Sequence, residues 1–154
     1  MSNLAVHFSS AVDTWTTPRD FYDRLNDEFQ FVLDAAALRN SALCDQWYGP
    51  DHDDESRRDA LTADWSIAAE GGAVFMNPPY GRQIGKFMKK ANEEALGGLT
   101  VVCLVPARTD TAWWHDYAIH WKTRFVRGRL KFGDATNAAP FPSAVIIMGR
   151  LAND

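Results

Sequence analysis

The order of apolar and polar segments predicts an α/β fold, built on a mostly parallel sheet that is flanked by helices. Short apolar runs typical of strands alternate along the chain with segments of helical periodicity. The run from Leu99 to Val105 is almost continuously apolar, as expected of a strand whose two faces are both covered. With 154 residues, the chain has the length of a single domain with one sizeable core.

Each element is predicted from a local pattern. Residues 1–15 carry no regular pattern and are expected to form an irregular N-terminal arm. Thr17 and Pro18 indicate a helix start, with the Thr17 hydroxyl as N-cap, and apolar residues then recur at helical spacing to Phe29. The other predicted elements, in chain order, are a strand over 30–35, a helix start within 36–43, a polar loop over 49–58, a strand over 73–77, a helix over 84–95 closed by Gly97 and Gly98, a strand over 99–105, a helix over 111–120, and strands over 124–132 and 143–148.

The composition is that of an ordinary soluble protein, with 46% hydrophobic and 23% charged residues. No apolar run has the length needed to span a bilayer, and the N-terminus lacks the pattern of a signal peptide. Cys103 lies in an apolar run that favours a buried thiol over a disulfide, so an intracellular, reducing setting is expected. The four histidines are scattered, and no spacing suggests a zinc site.

Charge is distributed unevenly along the chain, whose net charge is −4. Residues 1–76 carry five Lys/Arg and fourteen Asp/Glu, whereas residues 77–132 carry ten Lys/Arg and four Asp/Glu. Phosphate contacts depend on local cations rather than on the average charge, so the basic second half favours contact with nucleic acid. A solvated basic helix with a charged loop is the alternative interpretation.

The most informative motif is Asn77-Pro78-Pro79-Tyr80, which directly follows an apolar run. Because prolines cannot continue a central strand, the chain must leave the sheet here in a rigid, extended turn. Such a turn can present the Asn77 side-chain oxygen and a backbone carbonyl as converging acceptors for a planar amine. Tyr80 offers a flat face on which a ring can stack. An ordinary proline-rich turn is the alternative.

Three polar or proline positions end predicted strands: Asp34, Asn77 and Pro106. In a parallel α/β sheet, ligands bind at the carboxyl ends of the strands, which meet at one edge. The sequence therefore predicts one site at that edge, independently of any family.

The tetrad 77–80 resembles the catalytic signature of amino-methyltransferases that use S-adenosylmethionine. Together with other stretches in matching order, it resembles the small phage-type DNA N6-adenine methyltransferases, the phage Dam family. These stretches are 13–18, 31–36, 59–61, Trp65, 106–111, 128–130 and 141–143. The resemblance spans roughly residues 7 to 149. It implies a compact, Rossmann-like methyltransferase sheet, trimmed and without a separate target-recognition domain.

The resemblance further implies methyl transfer from S-adenosylmethionine to N6 of a flipped adenine in DNA, without a metal. Asn77, Pro78, Pro79 and Tyr80 are the expected catalytic residues, with Asn77 and the Pro78 carbonyl acting on the amine and Tyr80 stacking on the base. A monomer or homodimer in the cytoplasm of a bacterial host, encoded by a phage or prophage, is expected, with no membrane partner. The alternatives are the same chemistry on RNA or a protein glutamine, and a non-catalytic relative that binds cofactor or nucleic acid.

The expected cofactor-binding residues are Trp15, Thr16, Thr17, Pro18, Asp34, Ala35, Ala36 and Asp59. The helix start at 15–18 suits the cofactor's carboxylate, with a plain helix cap as the alternative. Asp34 would accept from ribose hydroxyls or the amino group, unless it caps a helix, and Asp59 or Asp64 would contact the adenine amine. Alanines at 35–37 replace the Gly-rich loop that is usual here, and alanine does not adopt a positive φ at low cost.

The expected DNA-contacting residues are Arg82, Arg108, Thr109, Lys122, Arg124, Arg127 and Arg129. Arg108 and Thr109 are expected at the rim of the site. Segment 120–139 is the better candidate for sequence recognition, because the 49–58 loop is acidic. Most such cations contact only the DNA backbone, and an internal ion pair is the alternative for Arg129.

Overall fold

The computed structural model describes residues 15–133 and 138–149, so nearly all of the predicted N-terminal arm and the motif residues 13–14 lie outside the described residues. Four helices are described: α1 (Arg19–Phe29), α2 (Trp65–Ala69), α3 (Ile84–Leu96) and α4 (Ala112–Asp116). Short 3₁₀ turns cover Glu55–Arg57 and Ala118–His120. The strands are β1 (Phe31–Asp34), β2 (Gln46–Trp47), β3 (Ala73–Met76), β4 (Val101–Pro106), β5 (Lys122–Phe125) and β6 (Ser143–Met148).

The strands form one six-stranded sheet in the order β2-β1-β3-β4-β6-β5. Neighbours among β2, β1, β3 and β4 run parallel, whereas β6 runs antiparallel to both β4 and β5. Every residue of β3, β4 and β6 is buried, so both faces of the central sheet are covered. The predicted α/β class and mostly parallel sheet are confirmed, and the arrangement is that of a compact, Rossmann-like fold.

The core lies between the sheet and its helices. On one face, the α1 residue Tyr22 packs edge-on against Phe75 of β3, with ring centroids 5.2 Å apart. Helix α3 buries four of the five apolar positions of its predicted periodicity, with Phe87 only half-buried, and is followed by Gly98, whose φ of 120° suits a glycine. Cys103 is buried in β4 as a free thiol, as its apolar context predicted.

Three predicted elements are wrong, each because tertiary contacts override a local pattern. No helix begins in 36–43, since the N–H of Ala37 donates to the carbonyl of Tyr48 and that of Leu38 to the Ser41 hydroxyl. The strand expected over 124–132 ends at Phe125, and the chain then turns through Gly128, whose φ is 75°. The helix expected over 111–120 divides into α4 and a 3₁₀ turn.

Strand β2 and helix α2 were not predicted. Strand β2 pairs only two residues with β1, too few for a recognisable alternation. Helix α2 spans five residues, too few for a helical period, although its N-cap Asp64 accepts from the Ser66 N–H as capping residues do. No helix among the described residues has both the length and the apolar character that crossing a membrane requires.

Candidate active site

A pocket of about 210 Å³ opens where β1 and β3 end. Ten of the predicted site residues line it: Trp15, Thr16, Thr17, Asp34, Ala35, Ala36, Asp59, Asn77, Pro78 and Pro79. They come from four separate segments of the chain. The predicted residues Pro18 and Tyr80 are not part of the lining. The fold therefore brings the expected cofactor motifs and the first three residues of the tetrad to one cavity.

The Asn77 side chain is fixed by the segment that precedes α1. Its amide nitrogen donates to the carbonyl of Trp15 and, over 2.9 Å, to the Thr17 hydroxyl oxygen. Because these two bonds use both N–H donors, the amide oxygen must act as the free acceptor. Asn77 Oδ1 is buried and has no hydrogen-bond partner among the described residues. A buried acceptor without a donor is costly, so this atom is suited to a ligand that brings an N–H.

Thr17 does not cap α1, contrary to the prediction. Pro18 occupies the N-cap position and no side chain caps the helix. The Thr17 side chain is 8% exposed, and its hydroxyl accepts from Asn77 instead of from a backbone N–H of the helix. The start of α1 thus orients the tetrad, and Pro18 sets the direction in which the chain enters the helix.

Asp34 lies at the end of β1 with only 2% of its surface exposed. Its carboxyl accepts from the N–H groups of Leu43, over 3.1 Å, and Ala36, over 3.4 Å. Burial raises the pKa of Asp34 to about 7, and the two hydrogen bonds oppose this rise only in part. The next element after β1 is the strand β2 and not a helix, so the alternative role of Asp34 as a helix N-cap is wrong.

The three alanines after Asp34 need no glycine-like conformation. Gln30 and Glu70 are the non-glycine residues with positive φ in the described part of the chain, and neither lies in 35–37. The glycine that matters here is Gly49, after β2. A Cβ at Gly49 would lie 1.8 Å from the Ala37 carbonyl oxygen. Gly49 therefore allows the segment after β2 to approach the segment after β1 more closely than any other residue would.

The two acidic candidates for the adenine amine occupy different places. Asp59 lines the pocket, and its carboxylate accepts from the Leu61 N–H over 3.0 Å. Asp64 is not part of the lining, and its carboxylate accepts from both the N–H and the hydroxyl of Ser66 at the start of α2. The geometry thus favours Asp59, while its role toward a cofactor stays a prediction.

Tyr80 does not present a free face, and the predicted stacking surface is covered in this structure. Its side chain is 1% exposed, and its hydroxyl donates to the Leu104 carbonyl over 3.1 Å. The rings of Phe141 and Phe132 pack edge-on against it, with centroids 5.5 Å and 6.1 Å away. Tyr80 therefore packs within the protein next to the pocket. A base could reach its ring only if Phe132 and Phe141 moved.

Phe132 and Phe141 are site residues that the sequence did not identify as such. Both pack edge-on against the pocket residue Trp15, with ring centroids 5.5 Å and 5.2 Å away. The available signal was the Phe-Pro-Ser stretch at 141–143, which matched the family pattern without indicating a role. Ser143 begins β6 opposite Pro106, and its hydroxyl is buried without a partner among the described residues.

Several predicted DNA contacts lie near the carboxyl edge. Arg108 and Thr109 are both exposed in the loop that follows β4, and the Arg108 guanidinium donates to the Tyr80 carbonyl. Arg82 and Arg127 are exposed. Arg129 is also exposed and donates to the Ala139 carbonyl over 3.3 Å, not to a carboxylate.

Two predicted DNA contacts are not brought to the site. Lys122 begins β5, which runs in the same direction as β4, so this residue lies at the opposite edge of the sheet. Arg124 forms a bidentate pair with Glu28 of α1 at 2.7 Å and 3.0 Å. This pair lowers the pKa of Glu28 and uses the Arg124 donors that a phosphate would need. The structure therefore places neither residue at the pocket, and their contact with DNA stays a prediction.

No group of three or more histidine, cysteine, aspartate or glutamate side chains is placed to hold a metal ion within the part of the chain that the structure describes.

Comparison with known proteins matches the chain to one family. A family model described as "DNA N-6-adenine-methyltransferase (Dam)" matches residues 6–150. A DNA N-6-adenine-methyltransferase of Escherichia phage T1 is 31% identical over 105 residues, which are 68% of this chain and 40% of the relative. A protein of the same name from Haemophilus phage HP1 is 27% identical over 103 residues, 66% of this chain and 54% of the relative. The chain thus spans about half the length of these relatives.

The family match covers almost the whole chain, including every segment that lines the pocket. The chain therefore belongs to the Dam family of DNA N-6-adenine-methyltransferases.

Proposed function

We propose that this protein transfers a methyl group from S-adenosylmethionine to the exocyclic N6 of adenine in DNA. The observation that carries the proposal is Asn77 Oδ1, a buried acceptor whose orientation is fixed and which lacks a donor among the described residues. The family and the names of its phage relatives support adenine in DNA as the target.

Adenine N6 is a poor nucleophile because its lone pair is delocalised into the ring. Asn77 Oδ1 would accept one N–H of the amine, and the Pro78 carbonyl in the same rigid turn would accept the other. Holding both N–H groups draws the nitrogen toward tetrahedral geometry and localises its lone pair. This is positioning and electrostatic preorganisation, and it requires no strong general base.

The pocket residues fit S-adenosylmethionine, which when bound supplies the electrophilic methyl group. Asp34 would accept from the ribose hydroxyls or the amino group, because its buried carboxyl keeps lone pairs beyond the two backbone bonds. Asp59 would accept from the adenine amine, with Ala60 and Phe87 as apolar neighbours in the lining. Trp15, Thr16 and Thr17 would hold the carboxylate end, and Ala35 and Ala36 allow close approach at the end of β1.

DNA is the proposed partner, and in a duplex the target adenine must leave the stack before its amine can reach the pocket. Arg82, Thr109, Arg127 and Arg129 are the proposed DNA contacts near the carboxyl edge. We further propose that residues 1–154 act as one domain, as a monomer or homodimer, in the cytoplasm of a bacterial host.

The test uses S-adenosylmethionine with a tritiated methyl group and three substrates in parallel: unmethylated duplex DNA, an RNA pool and a glutamine-containing protein lysate. Nucleoside mass spectrometry of the DNA should show N6-methyladenine, and its sequence context gives the specificity. Label in RNA or protein alone would show that the proposed substrate, DNA, is wrong. Cofactor binding by calorimetry without label in any substrate would favour a non-catalytic relative.

A further inference from the structure

Arg108 differs from the other cations near the site because both its backbone and its guanidinium group form hydrogen bonds within the protein. Its carbonyl accepts from the hydroxyl of Thr111 over 2.7 Å and from the N–H of Thr111 over 3.2 Å, which closes a tight turn before α4. Its N–H donates to the carbonyl of Pro106 over 2.8 Å. The base of the side chain is therefore fixed at the end of β4.

The guanidinium group contacts two other segments. Nη1 donates to the carbonyl of Tyr80, the last residue of the tetrad, over 3.0 Å. The guanidinium carbon also lies 5.8 Å from the ring centroid of Phe141, within the range of a cation–π contact. A planar guanidinium can make both contacts at once, which a lysine ammonium cannot reproduce.

These contacts connect Arg108 to Asn77 by two routes. The first is the turn itself, since Tyr80 ends the rigid segment that begins with Asn77. The second passes through Phe141, whose ring packs against Trp15 at 5.2 Å, and Trp15 accepts a hydrogen bond from the Asn77 amide. A shift of the guanidinium would therefore disturb both the direction of the tetrad and the acceptor that orients Asn77.

We propose that Arg108 is a positioning residue for the target amine, which holds the Tyr80 carbonyl and Phe141 in place, and not a phosphate contact. The proposal rests on the proposed function, because it assigns Arg108 a part in the same site. It replaces the DNA contact that the sequence indicated for this residue. A phosphate ligand needs free donors, and this guanidinium, although the residue is exposed, spends a donor and a ring face on internal contacts.

The experiment compares Arg108→Met, Arg108→Lys, Phe141→Leu and the exposed-cation variant Arg127→Ala in the full chain. For Arg108→Met at saturating DNA we expect kcat to fall about 100-fold, the scale of an ångström-sized misplacement. The slope of log K for DNA against log salt should stay that of wild type. Arg108→Lys should lose less, and Phe141→Leu should lower kcat without changing the slope. Arg127→Ala should instead reduce the salt slope by about one.

A fall in the salt slope of Arg108→Met with kcat preserved would overturn the proposal in favour of a phosphate contact. Hydrogen exchange over residues 77–84, measured without substrate, gives a second readout that does not depend on activity. Exchange should be faster in Arg108→Met and intermediate in Arg108→Lys, and unchanged exchange would also overturn the proposal. If wild type methylated no DNA while exchange responded as expected, the proposed function would fail and the positioning role would stand.

Discussion

The Asn77 amide nitrogen donates to the Thr17 hydroxyl across 2.9 Å, joining residues that are 60 positions apart in the chain. This bond couples the segment before α1 to the turn that leaves β3. It removes Thr17 from helix capping and determines which end of the Asn77 amide is left as acceptor. The bond thus links the predicted cofactor segment to the atom proposed to act on the target amine.

The first prediction concerns Asn77 itself. Asn77→Ala should lower kcat by about 100- to 1,000-fold, the usual cost of removing one preorganised polar group from an active site. Cofactor affinity should stay within a few-fold of wild type, because the side chain acts on the amine. Single-turnover methylation with calorimetric cofactor binding separates the two effects. Loss of cofactor binding with unchanged turnover per bound cofactor would show that this role is wrong.

The second prediction tests the orienting bond. Thr17→Val keeps the shape of the side chain but removes the acceptor, so the Asn77 amide loses one of its two anchors. A neutral hydrogen bond contributes about 1 kcal/mol, which corresponds to a loss of about fivefold in kcat if it is expressed fully in the transition state. Thr17→Ser is the matched control and should retain most of the activity, because it keeps the hydroxyl. Equal losses of kcat in both variants would show that the Thr17 hydroxyl does not orient Asn77.

The position of the site could be predicted from the sequence, but the orientation of its side chains could not. Asp34 and Asn77 could be predicted because a strand exit is a local feature, marked by an apolar run and then a polar residue or a proline. The bond from Asn77 to Thr17 could not, since nothing in either segment indicates contact with the other. The approach of Gly49 to Ala37 likewise depends on the pairing of β2 with β1, which two residues do not reveal.

The burial of Tyr80 shows the same limit for aromatic residues. An aromatic side chain after two prolines suits a stacking role as well as a supporting one, and only the positions of Phe132 and Phe141 decide between them. Likewise, Arg124 has the charge of a phosphate ligand, but the end of α1 places Glu28 within 2.7 Å of it. Residue type predicts what a group can do, whereas long-range packing determines which partner it has.

The third prediction is a pH dependence that arises from Asp34. Burial raises the pKa of Asp34 from 3.8 to about 7 in the folded protein, so between these values the folded state keeps a proton that the unfolded state has released. The contribution of Asp34 to the free energy of unfolding therefore falls as pH rises from about 4 to 7, and is constant outside that window.

Asp34→Asn isolates this contribution, because the amide does not titrate in that range. The difference in unfolding free energy between wild type and Asp34→Asn should slope downward from pH 4 to 7, measured by urea denaturation at several pH values. A flat difference would show that the carboxyl is not protonated in the folded state. Other titrating groups affect both proteins alike and cancel in the comparison.

The last prediction concerns the close approach at Gly49, which lets the loop after β2 form one wall of the pocket. Gly49→Ala would place a Cβ 1.8 Å from the backbone oxygen of Ala37, so the backbone of one segment must move. We expect both a lower melting temperature and weaker S-adenosylmethionine binding, since Ala37 and Gly49 line the same pocket. Gly85→Ala is the matched control, because its Cβ would lie an ordinary 3.8 Å from the Trp113 Cβ. Gly85 is part of α3, and in a helix alanine is favoured over glycine by about 1 kcal/mol. Thermal unfolding gives the melting temperatures of both variants, and calorimetry gives their affinities for S-adenosylmethionine. Equal affinity in the two variants would mean that the Gly49–Ala37 contact does not shape the pocket.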